Sequence, residues 1–260
     1  MEKIPVIGIV GGVGPYAGLA LNRLIFDNTL TDGTDQDHLE VILFSAGRRV
    51  TDRTEFLLGR EPINPSDGIF EACCALAAAG ATVAAIACNT AHAPEILDPL
   101  RQRLEQENIA LELVDMIGET ARFITDNYGS GTRVGLLATE GTVRAGVYNR
   151  LELESNGSHD IILPDNGFQD QVHRAIYDTG YGIKARSNPV TDRAVEACRE
   201  AALHLARQGA GVVILGCTEL PLALVPGSVP GLDLVDPASV TARALISRVA
   251  PEKLKPLGAC

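Results

Sequence analysis

Apolar residues fall in short unbroken runs rather than alternating with polar ones. Such runs occupy residues 6–10, 40–44, 82–87 and 111–114, and again 133–138, 161–163, 211–215 and 232–235. Between them lie stretches with apolar residues at helical spacing, at about 19–28, 65–79, 93–106, 169–177 and 191–207, with a last one from 238. Gly80 and Gly209 stand where helix C-caps belong. Strands that are apolar throughout, alternating with helices, predict an α/β fold of parallel sheets covered on both faces.

The pattern restarts near residue 133. The interval from Ile7 to Val134 nearly equals that from Cys88 to Cys217, so the layout is duplicated. Two similar lobes related by a pseudo-twofold axis follow, each a parallel sheet flanked by helices, with a cleft between them. The expected division places residues 1–115 and 217–260 in the first lobe, which carries Cys88. Residues 116–216 form the second, with the Cys217 loop at the boundary. Ligands of such sheets bind beyond the carboxyl ends of the strands.

Two of those strand ends match. Ile86-Ala-Cys-Asn-Thr-Ala-His-Ala-Pro94 and Leu215-Gly-Cys-Thr-Glu-Leu-Pro221 each bring an apolar run to a cysteine, then small polar residues and helix-like sequence. A sulfur at a helix start is placed where N–H groups and the dipole favour a thiolate. Two such sulfurs facing one cleft can remove a proton from one face of a carbon and return it to the other. Thiols suit this because either protonation state is accessible near neutral pH. Charge spreading into a neighbouring carboxylate then needs donors. Asn89, Thr90, Thr139, Thr142 and Thr218 can supply them, and Arg53 can hold a carboxylate bidentately. His92 and Glu219 lie close enough in sequence to support the cysteines. Blander roles compete: Asn89, Thr90, Thr139 and Thr142 also fit caps or turns, and Arg53 also fits a pair with Asp52 or Glu55.

Composition narrows the class. Of 260 residues, 46% are hydrophobic and 21% charged, so the chain can bury a sizeable core built on Ala, Val, Ile and Leu. A net charge of −11 argues against nucleic-acid and anionic-membrane partners. No apolar run approaches the roughly 20 residues that span a bilayer, and the first residues lack a signal-peptide pattern. The expectation is a cytoplasmic protein with six reduced cysteines. Cys73, Cys74 and Cys198 then act as small helix hydrophobes, and Cys260 is a terminal residue. The absence of Cys-x-x-Cys argues against structural zinc, and no metal is expected. One rival signal remains. Gly12-Val-Gly-Pro-Tyr-Ala17 fits a dinucleotide loop, with Arg48 and Arg49 placed for a 2′-phosphate, although Pro15 removes an N–H. Without a nucleotide, Gly12 can still contribute to an anion site.

Taken together, Gly11-Gly-Val-Gly-Pro15, Asp52-Arg-Thr54, Cys88-Asn-Thr-Ala-His92, Leu137-Ala-Thr-Glu-Gly-Thr142 with Gly146-Val-Tyr148, and Gly216-Cys-Thr-Glu219 resemble the aspartate/glutamate racemase superfamily. The resemblance is greatest to the cofactor-independent aspartate racemases. It implies a homodimer, no cofactor, and an amino-acid substrate deprotonated and reprotonated by Cys88 and Cys217. It further implies that Asn89, Thr90, Thr139, Thr142 and Thr218 hold the α-carboxylate and amino group while Arg53 meets the side-chain carboxylate. One departure concerns a lysine that aspartate enzymes carry before an Arg-x-Ile-Tyr segment. Counting back from Arg174-Ala-Ile-Tyr177 gives Asp170 there, with Arg48 or Arg49 as compensating cations. Glutamate, a sulfonate analogue or a broad amino-acid range therefore stay open as substrates. A nicotinamide-dependent oxidoreductase and a non-catalytic amino-acid-binding protein are the readings from other classes.

Overall fold

The computed structural model describes residues 5–155 and 157–257. The first four residues and Cys260, about which the sequence raises expectations, lie outside them. Among the described residues eight strands form two sheets, both parallel. Strands β1 (Ile7–Gly11), β2 (Val41–Ser45), β3 (Val83–Ile86) and β4 (Glu112–Val114) make the first, in the order β2-β1-β3-β4. Strands β5 (Val134–Ala138), β6 (Ile161–Ile162), β7 (Val212–Gly216) and β8 (Asp233–Val235) make the second, in the order β6-β5-β7-β8. The duplication is therefore topological: each strand has a counterpart at the same place in the other sheet. The inner strands β1, β3, β5 and β7 are buried along their whole length, as their unbroken apolar runs require.

Helices cover both faces. Pro15–Asp27 and Met116–Asn127 pack against the terminal helix Pro237–Val249, and Asn166–Tyr177 packs against Asp192–Arg207 beside β5. The lobe boundary expected at residue 217 does not follow the sheets. Strand β8 lies after it, yet pairs with β7, Ile214 opposite Val235, and so satisfies its backbone groups against the second sheet. The helix after β8 then returns to pack on Pro15–Asp27.

Several short helices fall where the sequence reads as loop. Arg53–Leu57 is started by Asp52, whose side chain accepts from the Glu55 N–H, and Glu140–Arg144 by Thr139, which accepts from the Thr142 N–H. Both are local caps without a long apolar stripe to announce them. Cys73, Cys88, Cys198 and Cys217 are buried free thiols, and burial pushes both Cys73 and Cys198 up to about 12. Those two are packing residues. Among the described residues no helix is long and apolar enough to cross a membrane, and no three His, Cys, Asp or Glu side chains converge as metal ligands.

Candidate active site

Strand β3 ends two residues before Cys88, and β7 ends at the residue before Cys217. Since β3 and β7 hold the same place in their sheets, the cysteines occupy equivalent positions. Both sulfur-bearing residues are buried, and both line one small, narrow cavity. Arg53, Asn89, Thr90, Thr139, Thr218 and Glu219 line it too, as the sequence predicts. Val13, Tyr177 and Lys184 complete the wall.

Neither cysteine sits directly at an α-helix start. Cys88 runs into the tight turn Thr90–His92 before the helix Pro94–Gln106 begins, and Cys217 into the turn Leu220–Leu222. The expected dipole is weak here, because its effect fades within the first turn of a regular helix. Side-chain charges take its place. The Arg53 guanidinium lies beside Cys88. Burial alone would lower its pKa, but the Cys88 sulfur and the Asp52 carboxylate raise it, so Arg53 stays charged although it is only 7% exposed. Its Nη1 donates to the Thr51 carbonyl at 3.1 Å and its Nη2 to that of Val13 at 2.8 Å, which fixes the fork.

On the other wall a carboxylate attends the sulfur. Cys217 Sγ donates to Glu219 Oε2 at 3.0 Å, and Lys184 Nζ meets Glu219 Oε1 at 3.3 Å. Burial first and the Glu219 charge second push the Cys217 thiol well up. Burial works most strongly against the Lys184 ammonium, but Glu219, Cys217 and Tyr177 together outweigh it and raise that pKa. Gly14 makes room for this group: at φ 135° it has a conformation L side chains rarely adopt, and a Cβ there would lie 2.0 Å from Glu219 Oε1.

Threonine hydroxyls stitch the lobes together around the cavity. Thr90 and Thr142 meet at 2.8 Å, Thr139 and Thr142 at 3.1 Å, and Thr54 and Thr139 at 3.3 Å. The Tyr177 hydroxyl donates to both Asp52 oxygens, at 3.3 and 3.2 Å. Two buried donors in this setting have no hydrogen-bond partner, Asn89 Nδ2 and Arg53 Nε. Unsatisfied buried donors are costly unless a ligand completes them, and two of them call for acceptor oxygens.

Some expected residues stand elsewhere. Thr142 does not line the cavity; its hydroxyl braces Thr90 and Thr139. Gly12 packs on the backbone of Ala46 and Gly47, which would block a Cβ, so it shapes the loop without reaching the cavity. With Gly14 covered by Glu219 as well, the loop has no open glycine face for a dinucleotide phosphate. His92 is buried behind Cys88. Its Nε2 accepts from the Met116 N–H, which leaves the proton on Nδ1 for the Cys88 carbonyl, 2.9 Å away. Burial lowers its pKa, so it holds the turn as a neutral ring. Arg48 is exposed and outside the cavity, and Arg49, also exposed, pairs with Glu71 across 3.5 Å. Asp170 pairs on the surface with Arg174. Lys184, rather than Arg48 or Arg49, is the cation that lines the cavity beside Arg53. Sequence reasoning also misses Tyr177 as a wall and Tyr148, whose hydroxyl donates to Asn89.

The chain is thus a two-lobed α/β protein with cysteines from equivalent strands at one donor-lined cavity. Residues 10–245 match the family described as Asp/Glu/Hydantoin racemase, and the chain belongs to that family. Its structure resembles the aspartate racemase of Picrophilus torridus, with a TM-score of 0.77, 26% identity and 96% of each chain covered. In sequence it is 30% identical to the glutamate racemase of Desulforudis audaxviator over 65% of this chain and 56% of that one. It is 37% identical to an uncharacterised protein of Pectobacterium carotovorum over 44% of this chain and 68% of that one.

Proposed function

We propose that the protein racemises an acidic amino acid, aspartate first, with Cys88 and Cys217 as the two acid/base groups. One sulfur, as thiolate, takes the α-proton; the C–H electron pair spreads into the α-carboxylate; the other thiol returns a proton to the opposite face. No redox change occurs, and the enzyme ends with its proton on the other sulfur. The observation that carries this reading is the pair of cysteines at equivalent strand ends lining one cavity. Asn89 Nδ2, Thr90, Thr139 and Thr218 suit the α-carboxylate and ammonium, in a buried site where such bonds count. Arg53 and Lys184 suit a second carboxylate, which favours a dicarboxylic substrate over a neutral one.

The glutamate racemase among the relatives supports glutamate as the second substrate reading. A panel of amino acids incubated with the purified protein, without added cofactor, and resolved by chiral chromatography tests both. Turnover of aspartate above all others supports the proposal. Turnover of glutamate alone moves the substrate. Ligand-induced thermal stabilisation without turnover of any amino acid marks a binding protein instead. The homodimer implied by the sequence resemblance belongs to the same proposal, and light scattering measures it.

A further inference from the structure

The two sulfurs are not electrostatic equals. Cys88 faces a guanidinium, that of Arg53, whereas Cys217 faces a carboxylate, that of Glu219. The Cys217–Glu219 distance is 3.0 Å, and Glu219 is held on its far side by Lys184 at 3.3 Å. Its side chain is 4% exposed, so water does not dilute the interaction. The bare Cα of Gly14 lies over the same carboxylate and leaves room for nothing else there. A carboxylate accepts but does not donate, so a carboxylate at this distance favours a proton on the sulfur.

We propose that Glu219 is a positioning residue that fixes the resting proton on Cys217, so that the free enzyme presents Cys217 as acid and Cys88 as base and is biased toward one enantiomer. The inference rests on the two-thiol reading above and goes beyond it. The favoured substrate is the enantiomer whose α-hydrogen faces Cys88. Its mirror image binds only after the proton has moved, when the Sγ–H bond of Cys217 is broken and Cys88 carries a proton. The titratable groups that face Cys217 are Glu219 from its own loop, Lys184 from the segment after Gly182, Tyr177 and Tyr148. Burial keeps both phenols protonated, so the Glu219 carboxylate is opposed by Lys184 and by the Glu219 backbone N–H, which donates to the sulfur.

The bias has a kinetic form. Racemisation has an equilibrium constant of one, so kcat/KM is equal in the two directions whatever the enzyme does. The asymmetry must then appear as a lower KM with a matching lower kcat for the enantiomer that the resting form accepts. Two readouts on the full-length protein test it. The first is kcat and KM for each enantiomer. The second needs no turnover: the pH dependence of iodoacetamide alkylation at Cys217, followed by peptide mass spectrometry.

In Glu219→Gln the two KM values converge, and the midpoint of Cys217 alkylation falls by one pH unit or more. Glu219→Asp keeps the charge for Lys184 but withdraws the oxygen from the sulfur, so it moves the midpoint part of the way and guards against a Gln variant that misfolds. An alkylation midpoint at Cys217 that stays or rises in both variants overturns the inference, even if their melting temperatures fall. If the wild type turns over no amino acid, the racemase reading fails by itself, and the alkylation shift still decides the role of Glu219.

Discussion

The hydroxyl of Tyr148 donates to Asn89 Oδ1 across 2.5 Å, linking the turn before the helix Asn149–Glu154 in one lobe to the Cys88 loop of the other. Tyr148 is 2% exposed and burial raises its pKa far above the ordinary value, so the donor is permanent. The bond fixes which way the amide faces and leaves Nδ2 as the unpartnered donor. Tyr148→Phe strands a buried carbonyl at a cost of about 1–3 kcal/mol and frees the amide to turn. Steady-state kinetics should show KM raised roughly tenfold with the fold intact by circular dichroism. An unchanged KM would separate Asn89 from substrate.

Arg53 spends two nitrogens on carbonyls and keeps Nε free. Arg53→Lys preserves the charge but cannot satisfy two carbonyls and still present a donor. Losing one partner of a buried charged contact costs about 2–5 kcal/mol, so kcat/KM should drop ~100-fold or more. The same variant should lose selectivity between dicarboxylic and neutral amino acids in competition assays.

Gly14 is the residue that Glu219 excludes from having a side chain. Gly14→Ala adds a methyl 2.0 Å from Glu219 Oε1 at φ 135°. Strain of this kind costs on the order of 1–3 kcal/mol. Chemical denaturation should register that loss, and activity should fall further than stability explains, because the carboxylate must leave Cys217.

Asp236 starts the terminal helix, accepting from the Ala238 N–H at 2.8 Å, yet burial raises its pKa to about 6. A carboxyl raised in the native state binds its proton more tightly there than in the unfolded chain. Stability from this group is therefore complete below the ordinary carboxylate range and is lost as pH rises through about 6. The span corresponds to about 3 kcal/mol at most. Asp236→Asn keeps a capping oxygen without the charge. Urea titrations should find it more stable than wild type at pH 7.5, with the gap closing toward pH 4.

How far the sequence carries depends on whether a feature has a period. The buried strands show as apolar runs, and β1, β3, β5 and β7 lie within two residues of where those runs place them. Convergence of Cys88 and Cys217 follows from the repeated layout alone. Lys184 has no such signal. It reaches the cavity because the chain reverses after Tyr177 and lies back along the helix end, with the Ile183 and Lys184 N–H groups donating to the Ala175 and Ile176 carbonyls. That reversal is a tertiary event in a segment without periodicity. The helix Met116–Asn127 falls outside the helical stretches read from the sequence, although Asp115 caps it and Ile117, Ala121 and Ile124 make a buried stripe at helical spacing.

In the proposed reaction two thiols share one α-carbon. Its most direct test is deuterium wash-in from heavy water, followed by mass spectrometry on separated aspartate enantiomers, for wild type, Cys88→Ser and Cys217→Ser. Wild type should place deuterium at the α position of both enantiomers with no cofactor added, and each single variant should lose racemisation by several orders of magnitude. Wild-type rates in both single variants would contradict the claim.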